Sequence, residues 1–423
     1  MARQPIRSSS DEAPDDQGRS FHLSQTRVSG VTGSSSSEEK VIIVGGAVVG
    51  SFVAYFLQEM GFSGQIQIVE RDPTYRFSST ALSAASIRTQ FGCRVNVRMS
   101  LFGAEFFRNI KDRFGPDADI GFHENGYLIL GAPTDAEART ASLAMQRAEG
   151  AEILALDSDQ LLARFPWLNV EDVGLGTFGA RNEGWFDAWS LLSLIRSRVR
   201  SRGGEYISAE VQSFFLSSGR IGGVQLSNGR TLRSDCCVTA AGALSGRLMR
   251  NLGIALPVSP RKRTVFAVKA PLSDCAFPML FDTTGAWIRP EGASFICGVA
   301  PPADSDPDAE GDYEPQHELF EETVWPALAH RIPALEQLRL ERSWAGHYEI
   351  NALDHNGVIG PHDEIENLIF ATGFSGHGVM HAPAAGRGVA ELILRGRYET
   401  LDLSELGYGR IRAGAPLHEM VVY

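Results

Sequence analysis

The chain has 423 residues, 43% hydrophobic and 21% charged, enough for two domains and a large core. A net charge of −12 argues against nonspecific nucleic-acid binding. Five cysteines, Cys93, Cys236, Cys237, Cys275 and Cys297, are odd in number and lack metal-ligand spacing, so they fit a reducing compartment and give no metal site.

Residues 1–38 are rich in Ser, Arg, Gln and Gly without apolar periodicity and are expected to be disordered. Arg3, Arg7, Arg19 and Arg27 among serines suit a targeting segment, whereas Asp11-Glu12 and Asp15-Asp16 argue for a plain tail. Then Val41-Ile-Ile-Val-Gly45-Gly46-Ala47-Val48-Val49-Gly50 predicts a buried parallel strand, a tight turn and a helix running on through Leu57. A second apolar strand, Ile66-Gln-Ile-Val69, ends in Glu70, where an acid can accept from a ribose hydroxyl. Strand, glycine turn, helix, strand and terminal acid together read as a dinucleotide-binding unit, with a pyrophosphate at the helix N-terminus. Ala47 replaces the middle glycine of the G-x-G-x-x-G pattern and adds a methyl near the pyrophosphate. The apolar run 41–57 is shorter than the ~20 residues of a membrane span and is broken by glycines, so no span is expected; peripheral attachment stays open.

Residues 71–88 form a small, hydroxyl-rich loop able to lie close to a flat cofactor. Helices are predicted at 94–113, 134–149, 158–165 (capped by Ser158) and 188–202, with strands at 126–130 and 211–216 and a hairpin turning at Asn228-Gly229. Cys236-Cys-Val-Thr-Ala-Ala-Gly242 is a buried strand ending in small residues beside the cofactor. Strands follow at 264–268, 285–289 and 294–297, then an acidic, proline-containing mobile loop at 301–315 and a helix at 316–331. Leu368-Ile-Phe-Ala-Thr372 is a strand, Gly373-Phe-Ser-Gly-His-Gly378 a turn and 382–396 a small-residue helix. This alternation implies an α/β, Rossmann-like domain with a second, β-rich α+β substrate domain. The expected segments are 39–118, 172–256 and 346–398 for the first domain, 119–171 and 257–345 for the second, and a tail at 399–423.

Four segments, Val44-Gly-Gly-Ala-Val-Val-Gly50 with Glu70, Thr239-Ala-Ala-Gly-Ala-Leu-Ser245, Arg289-Pro-Glu-Gly292 and Gly373-Phe-Ser-Gly-His-Gly378, together resemble the D-amino-acid oxidase and sarcosine oxidase superfamily of FAD proteins over residues 39–423. The resemblance implies that superfamily's discontinuous two-domain fold, FAD as cofactor, and oxidation of a C–N bond in a small amine or amino acid. Glu70-Arg-Asp-Pro-Thr-Tyr75, Glu183-Gly-Trp-Phe-Asp187, Pro260-Arg-Lys-Arg263 and Asn356-Gly-Val-Ile-Gly-Pro-His362 are similar to a mitochondrial branch associated with assembly of respiratory complex I. That likeness implies complex I subunits or assembly intermediates as partners and a matrix location, peripheral to the inner membrane. A cytoplasmic, bacterial-type sarcosine or N-methyl amino acid dehydrogenase and a non-catalytic flavin-bound scaffold remain as alternatives.

By the same resemblance Gly45, Gly46, Ala47 and Gly50 hold the pyrophosphate, Glu70 and Arg71 the adenosine side, and Ser79 and Thr80 the phosphates. Ser86, Ile87, Arg88 and Thr89 line the flavin ring, Val211 meets the adenine, and Ala241 and Gly242 pack on the cofactor. Gly373, Ser375, Gly376, His377 and Gly378 form the turn at the flavin's pyrimidine edge, and His377, Tyr348 and Arg88 are the candidate catalytic residues, Arg88 for a substrate carboxylate. His347, His355 and His381 divide evenly between structural and catalytic roles, and Trp185 and Trp344 read as core. Three departures bear on chemistry. Ser83 stands where some relatives carry a flavin-linking histidine, and no cysteine lies near Tyr348, so the FAD is expected to be noncovalent. The lysine that assists oxygen in sarcosine oxidases would lie near Ile296, but no lysine follows Lys269, so a dehydrogenase is expected. A substrate-gripping lysine of relatives falls at Met380.

Overall fold

The strand Lys40–Val44 is almost wholly buried because it is paired on both sides and covered on both faces. In this computed structural model, which describes residues 39–272, 277–417 and 419, that strand lies inside a six-stranded sheet. The order is 358–361, 368–372, 236–239, 40–44, 65–70, 205–208, parallel except for the first strand. The expected disordered or targeting segment, 1–38, lies outside the described residues.

One face of the sheet carries the helices Val48–Glu59 and Gly378–Arg395. Their closeness depends on Gly386, where a Cβ would come within 2.7 Å of the Phe52 backbone. The opposite face is covered by an antiparallel meander, Val211–Ser217, Arg220–Leu226 and Thr231–Arg233, whose Val224 and Leu226 share a core with Ile42 and Val44. A helix thus follows the first strand and another follows the glycine turn, and both helix N-termini emerge at the carboxyl edge of the sheet, where open α/β sheets bind ligands.

An eight-stranded sheet makes the second layer system, in the order 339–351, 258–269, 294–298, 287–291, 279–281, 127–131, 175–179, 153–156. Two expected segment borders shift. Leu175–Gly179 pairs with Tyr127–Gly131 in this sheet although 172–256 was assigned to the first domain. Arg339–Asn351 is one continuous strand across the expected break at 345/346, because it pairs with Val258–Lys269 on both sides of that point, with one bulge at Glu341. Its end bridges to Phe374 of the glycine turn, so this strand carries side chains from the second sheet to the first.

Other differences have local causes. The helix expected over 94–113 is interrupted at Asn109. Asp157, not Ser158, caps the helix Ser158–Arg164 and forms a capping box with Gln160. The last long helix starts at Gly378 and runs through Pro383, four residues earlier than the proline suggests. The described part of 399–417 is packed, with Leu403 and Leu406 buried and Arg410 paired to the buried Asp354 at 2.8 Å. The acidic loop 301–315 is fastened: Asp306 takes a bidentate pair from Arg263 and Asp312 pairs with Lys262 at 2.7 Å. Among the described residues no helix is long and apolar enough to cross a membrane.

Candidate cofactor cleft

Gly45 leaves its strand at φ +101, a left-handed conformation that favours glycine, and a Cβ there would lie 2.1 Å from the Ala240 carbonyl oxygen. Gly50 faces the same turn, where a Cβ would stand 1.9 Å from the Gly45 oxygen. The chain can therefore fold back into the helix Val48–Glu59 only with both glycines. Ala47 occupies the N-cap with no side-chain cap, and the first helical turn holds no acid. The amides of that turn present a positive helix end to the adjoining space. The Val48 N–H reaches only the Thr80 hydroxyl, at 3.4 Å.

That space is a cleft of about 1410 Å3. Gly45, Ala47, Glu70, Arg71, Ser79 and Thr80 form one part of its wall, and Val211, Ala241 and Gly242 continue it. Glu70 is held in place by the Gly46 N–H at 2.8 Å and the Asp72 N–H at 2.9 Å, and burial raises its pKa above the usual carboxylate value despite these bonds. Gly46 itself lies behind the wall. A Cβ there would press on Tyr75, Ile68 and Glu70, so its small size serves the seating of Glu70. Ser79 donates to the His347 carbonyl at 2.6 Å, tying the hydroxyl-rich loop to the long strand of the other sheet.

The glycine turn forms the remaining wall. Gly376, at φ +98, lies so near Tyr348 that a Cβ would be 2.5 Å from its ring, and Gly376, Gly378 and Tyr348 all face the cleft. Gly373 and Ser375 lie behind and shape the turn. Gly373 donates to the Glu349 carboxylate at 3.0 Å, and Ser375 donates its N–H to the Glu349 carbonyl while its hydroxyl accepts from the Asn351 N–H.

His377 turns away from the cleft. Its ring meets Phe91 edge-on at 4.8 Å, and its Nε2 lies 3.4 Å from an Arg88 nitrogen. Burial, then the Arg88 charge, holds it well below the ordinary imidazole range, so it is neutral. His381, one helical turn on, is pushed down to about 3 and contacts the Ser100 hydroxyl at 3.0 Å. Arg88 is buried with its guanidinium 4.0 Å over the Phe91 ring, and it donates to the Gln90 carbonyl. Ser86 and Ile87 pair with Trp185 and Gly184 in a short ribbon, with Ile87 fully buried. Thr89 is bound by N–H and hydroxyl to the buried Glu183. The segment expected to line a flavin ring thus forms a second tier behind the cleft wall, braced by Glu183.

Two features escape the sequence reading. Glu349, buried beside Gly378, lines the cleft; its only signal is an acid in the otherwise uncharged stretch 343–351. Tyr313, from the acidic loop, stacks on His347 at 4.2 Å and donates to the Phe77 carbonyl, so the loop 301–315 makes a rim of the cleft. The basic run Pro260-Arg-Lys-Arg263 is what fastens that loop.

The cleft suits a dinucleotide on observed grounds: its volume exceeds the roughly 300–1,000 Å3 of ordinary small-ligand pockets. It joins an uncapped helix N-terminus, a seated acid at a strand end and two glycines. Gly242, at φ +57, would bring a Cβ only to the Glu349 carboxylate, at 3.9 Å, and Gly378 opens the second helix.

A family model described as FAD dependent oxidoreductase matches residues 40–392. The chain is 41% identical over 420 residues to the FAD-dependent oxidoreductase domain-containing protein 1 of Xenopus laevis, covering 90% of this chain and 84% of that one. It is 35% identical to the homolog of that protein in Drosophila melanogaster, with 90% and 80% covered. Among solved structures, L-proline dehydrogenase from P. horikoshii aligns with a TM-score of 0.78 at 24% identity, covering 90% of this chain and all of that one. Glycine oxidase from Geobacillus kaustophilus aligns at 0.75 and 22%, with 87% and 98% covered. At these identities the two structures speak for the fold alone.

Proposed function

We propose an amine-oxidising function from one premise: the chain belongs to the FAD dependent oxidoreductase family. It is an FAD-dependent oxidoreductase of the glycine oxidase type, and FAD is its cofactor. The finer reading is oxidation of a C–N bond in a small amine or amino acid. The observation that carries it is the single cleft walled both by the dinucleotide unit, at Ala47 and Glu70, and by the glycine turn with Tyr348. When bound, FAD supplies the two-electron acceptor for a substrate hydride, and water hydrolyses the imine left behind. The helix amides beyond Ala47 would hold phosphate, Glu70 would hold the ribose, and the turn at Gly376 and Gly378 would meet the electron-rich end of the cofactor. Tyr348 offers the substrate an aromatic wall. Arg88 serves a substrate carboxylate only if its guanidinium leaves Phe91, so we assign it first to bracing the turn through His377.

We read the enzyme as a dehydrogenase holding FAD noncovalently. No lysine follows Lys269, and Ile296 is buried within its sheet. Acid precipitation should release yellow flavin into the supernatant; flavin retained in the pellet refutes the noncovalent reading. Stopped-flow reoxidation should be slow, and rapid hydrogen peroxide production with an N-methyl amino acid refutes the dehydrogenase reading. The likeness to the mitochondrial branch supports service to complex I subunits or assembly intermediates in the matrix. Met380 in place of a substrate-gripping lysine favours a second reading, a flavin-bound scaffold. Rescue of a knockout line by Ala47→Glu separates the two. Gly46 is the poorer site for such a variant, because bulk there would unseat Glu70. Restored complex I without bound flavin would make the protein a scaffold. Lost function with partner binding intact would make it a redox enzyme.

A further inference from the structure

Glu349 belongs to the cleft wall, yet it is not among the side chains that hold a dinucleotide in the dinucleotide unit. It stands on the long strand Arg339–Asn351, opposite Pro260 of the neighbouring strand, and its side chain passes into the gap between Gly242 and Gly378. Its Oε2 is fixed from behind: the Thr372 hydroxyl and the Gly373 N–H both lie at 3.0 Å. Thr372 is itself backed by the Ser245 hydroxyl at 2.7 Å. Its Oε1 is beside Gly378, 3.1 Å from where a Cβ would stand. A ligand laid against those two glycines therefore lies against this carboxyl.

The groups packed around Glu349 supply no compensating charge. Tyr348 precedes it, and His377 in the facing turn is held neutral. Arg263 is bound to Asp306 and stacks over Tyr348, and Arg261 donates to the Ser259 hydroxyl. Burial raises the carboxyl to about 7, opposed only by the hydrogen bonds of Gly373, Thr372 and Phe374. The group is thus near half-protonated at neutral pH, and a negative charge arriving beside it favours its protonated form.

We infer that Glu349 is the proton-holding residue of this cofactor site, taking one proton from solvent onto its carboxylate when bound FAD receives two electrons and a proton as hydride from an amine substrate. The inference rests on the reading of this cleft as the FAD site. It makes Glu349 a tuning residue: the cofactor's electron affinity depends on pH through a protein group as well as through its own protons. Charge on Glu349 opposes reduction at high pH, and its protonation removes that opposition at low pH.

The test is a spectroelectrochemical titration of the flavin in the purified holoprotein, wild type against Glu349→Gln, from pH 5.5 to 8.5. The two potentials should coincide near pH 5.5, where both side chains are neutral. Above pH 7 the wild type should fall below the variant by about tenfold in the reduction constant, or ~30 mV for two electrons. An offset that is constant with pH, or no offset, overturns the inference. If Glu349→Gln does not retain flavin, Thr372→Val decides. Losing that hydroxyl disfavours the charged carboxylate, so the pH at which the wild-type curve steepens should move upward. An unmoved profile overturns the inference. Wild-type protein that carries no flavin would instead sink the functional reading on which this one rests.

Discussion

Around Gly45, Ala47 and Glu70 the parts of the cleft come from one strand–helix–strand unit, and its acid is fixed by backbone amides of that unit and the turn after it. Glu70 is seated by Gly46 and Asp72. Around Tyr348, Glu349, Gly376 and Gly378 the parts come from distant segments, and buried ionisable groups are held by hydrogen bonds from across the fold. Arg88 meets His377, Glu349 meets Gly373, and Glu183 meets Thr89 and Gln90. The first region is shaped by backbone geometry, which survives most side-chain changes that leave its glycines alone. The second sets electrostatics through a few buried ionisable groups, so it is sensitive to pH and to single substitutions.

Substitution at the first region should therefore act on cofactor occupancy. Ala47→Glu places an anion at the uncapped helix end and should weaken FAD binding by at least about 100-fold, read as flavin absorbance per protein after gel filtration. Full flavin loading of that variant would show that the helix end does not face the phosphates. At the second region, effects should appear first in stability. Gly376→Ala combines a positive φ with a Cβ 2.5 Å from the Tyr348 ring and should cost about 2–4 kcal/mol in urea unfolding. Adding Tyr348→Ala should recover the steric part and leave the backbone part. An additive double mutant would break the assignment of that contact.

A pH series sharpens the contrast further. Glu349 and Glu183 are both raised to about 7 by burial, while Glu in an unfolded chain titrates near 4.5. For an acid whose folded pKa is raised, the unfolded state loses its proton first, so each group costs stability as pH rises from about 4.5 to 7. Glu349→Gln should consequently gain on the wild type by about 1–3 kcal/mol between pH 5 and pH 8, measured by denaturant midpoint in the apoprotein. Parallel stability curves would show that burial does not shift the group. The smallest expected effect is ionic. Raising NaCl from 0.05 to 0.5 M should speed flavin release two- to fivefold, because it screens the pairs of Lys262 and Arg247 with the acidic loop. An unchanged release rate would mean the loop does not limit exit.

The same contrast explains what was legible in the amino-acid sequence. The strand at 41–44, the turn at Gly45 and the acid at Glu70 were readable because their spacing is dictated by local geometry. So was the helix following the second glycine turn, although its start at Gly378 was hidden by Pro383. Which motif residues face the cleft was readable only in part: Ala47, Glu70, Ser79, Gly376 and Tyr348 line it as expected. Gly46 and His377 sit in the motifs yet point behind the wall, because side-chain direction there is set by Tyr75, Phe91 and Arg88 from other segments. Glu349 showed only as a lone acid in a strand; its burial depends on Thr372 and Gly378, beyond any window of sequence. The acidic loop looked mobile from composition, since its partners lie far earlier in the chain, Lys262 50 residues before Asp312 and Arg263 43 before Asp306.

That loop has a consequence for how the holoprotein is made. Tyr313 stacks on His347, which follows it in the chain, so the rim closes only once the chain has passed His347; a dinucleotide entering earlier would meet an open groove, and one entering afterwards would pass under the rim. Ligand capture should then show a fast phase with freshly refolded protein and a slow phase with fully folded apoprotein. Cofactor supply during synthesis would decide how much of the protein is ever loaded.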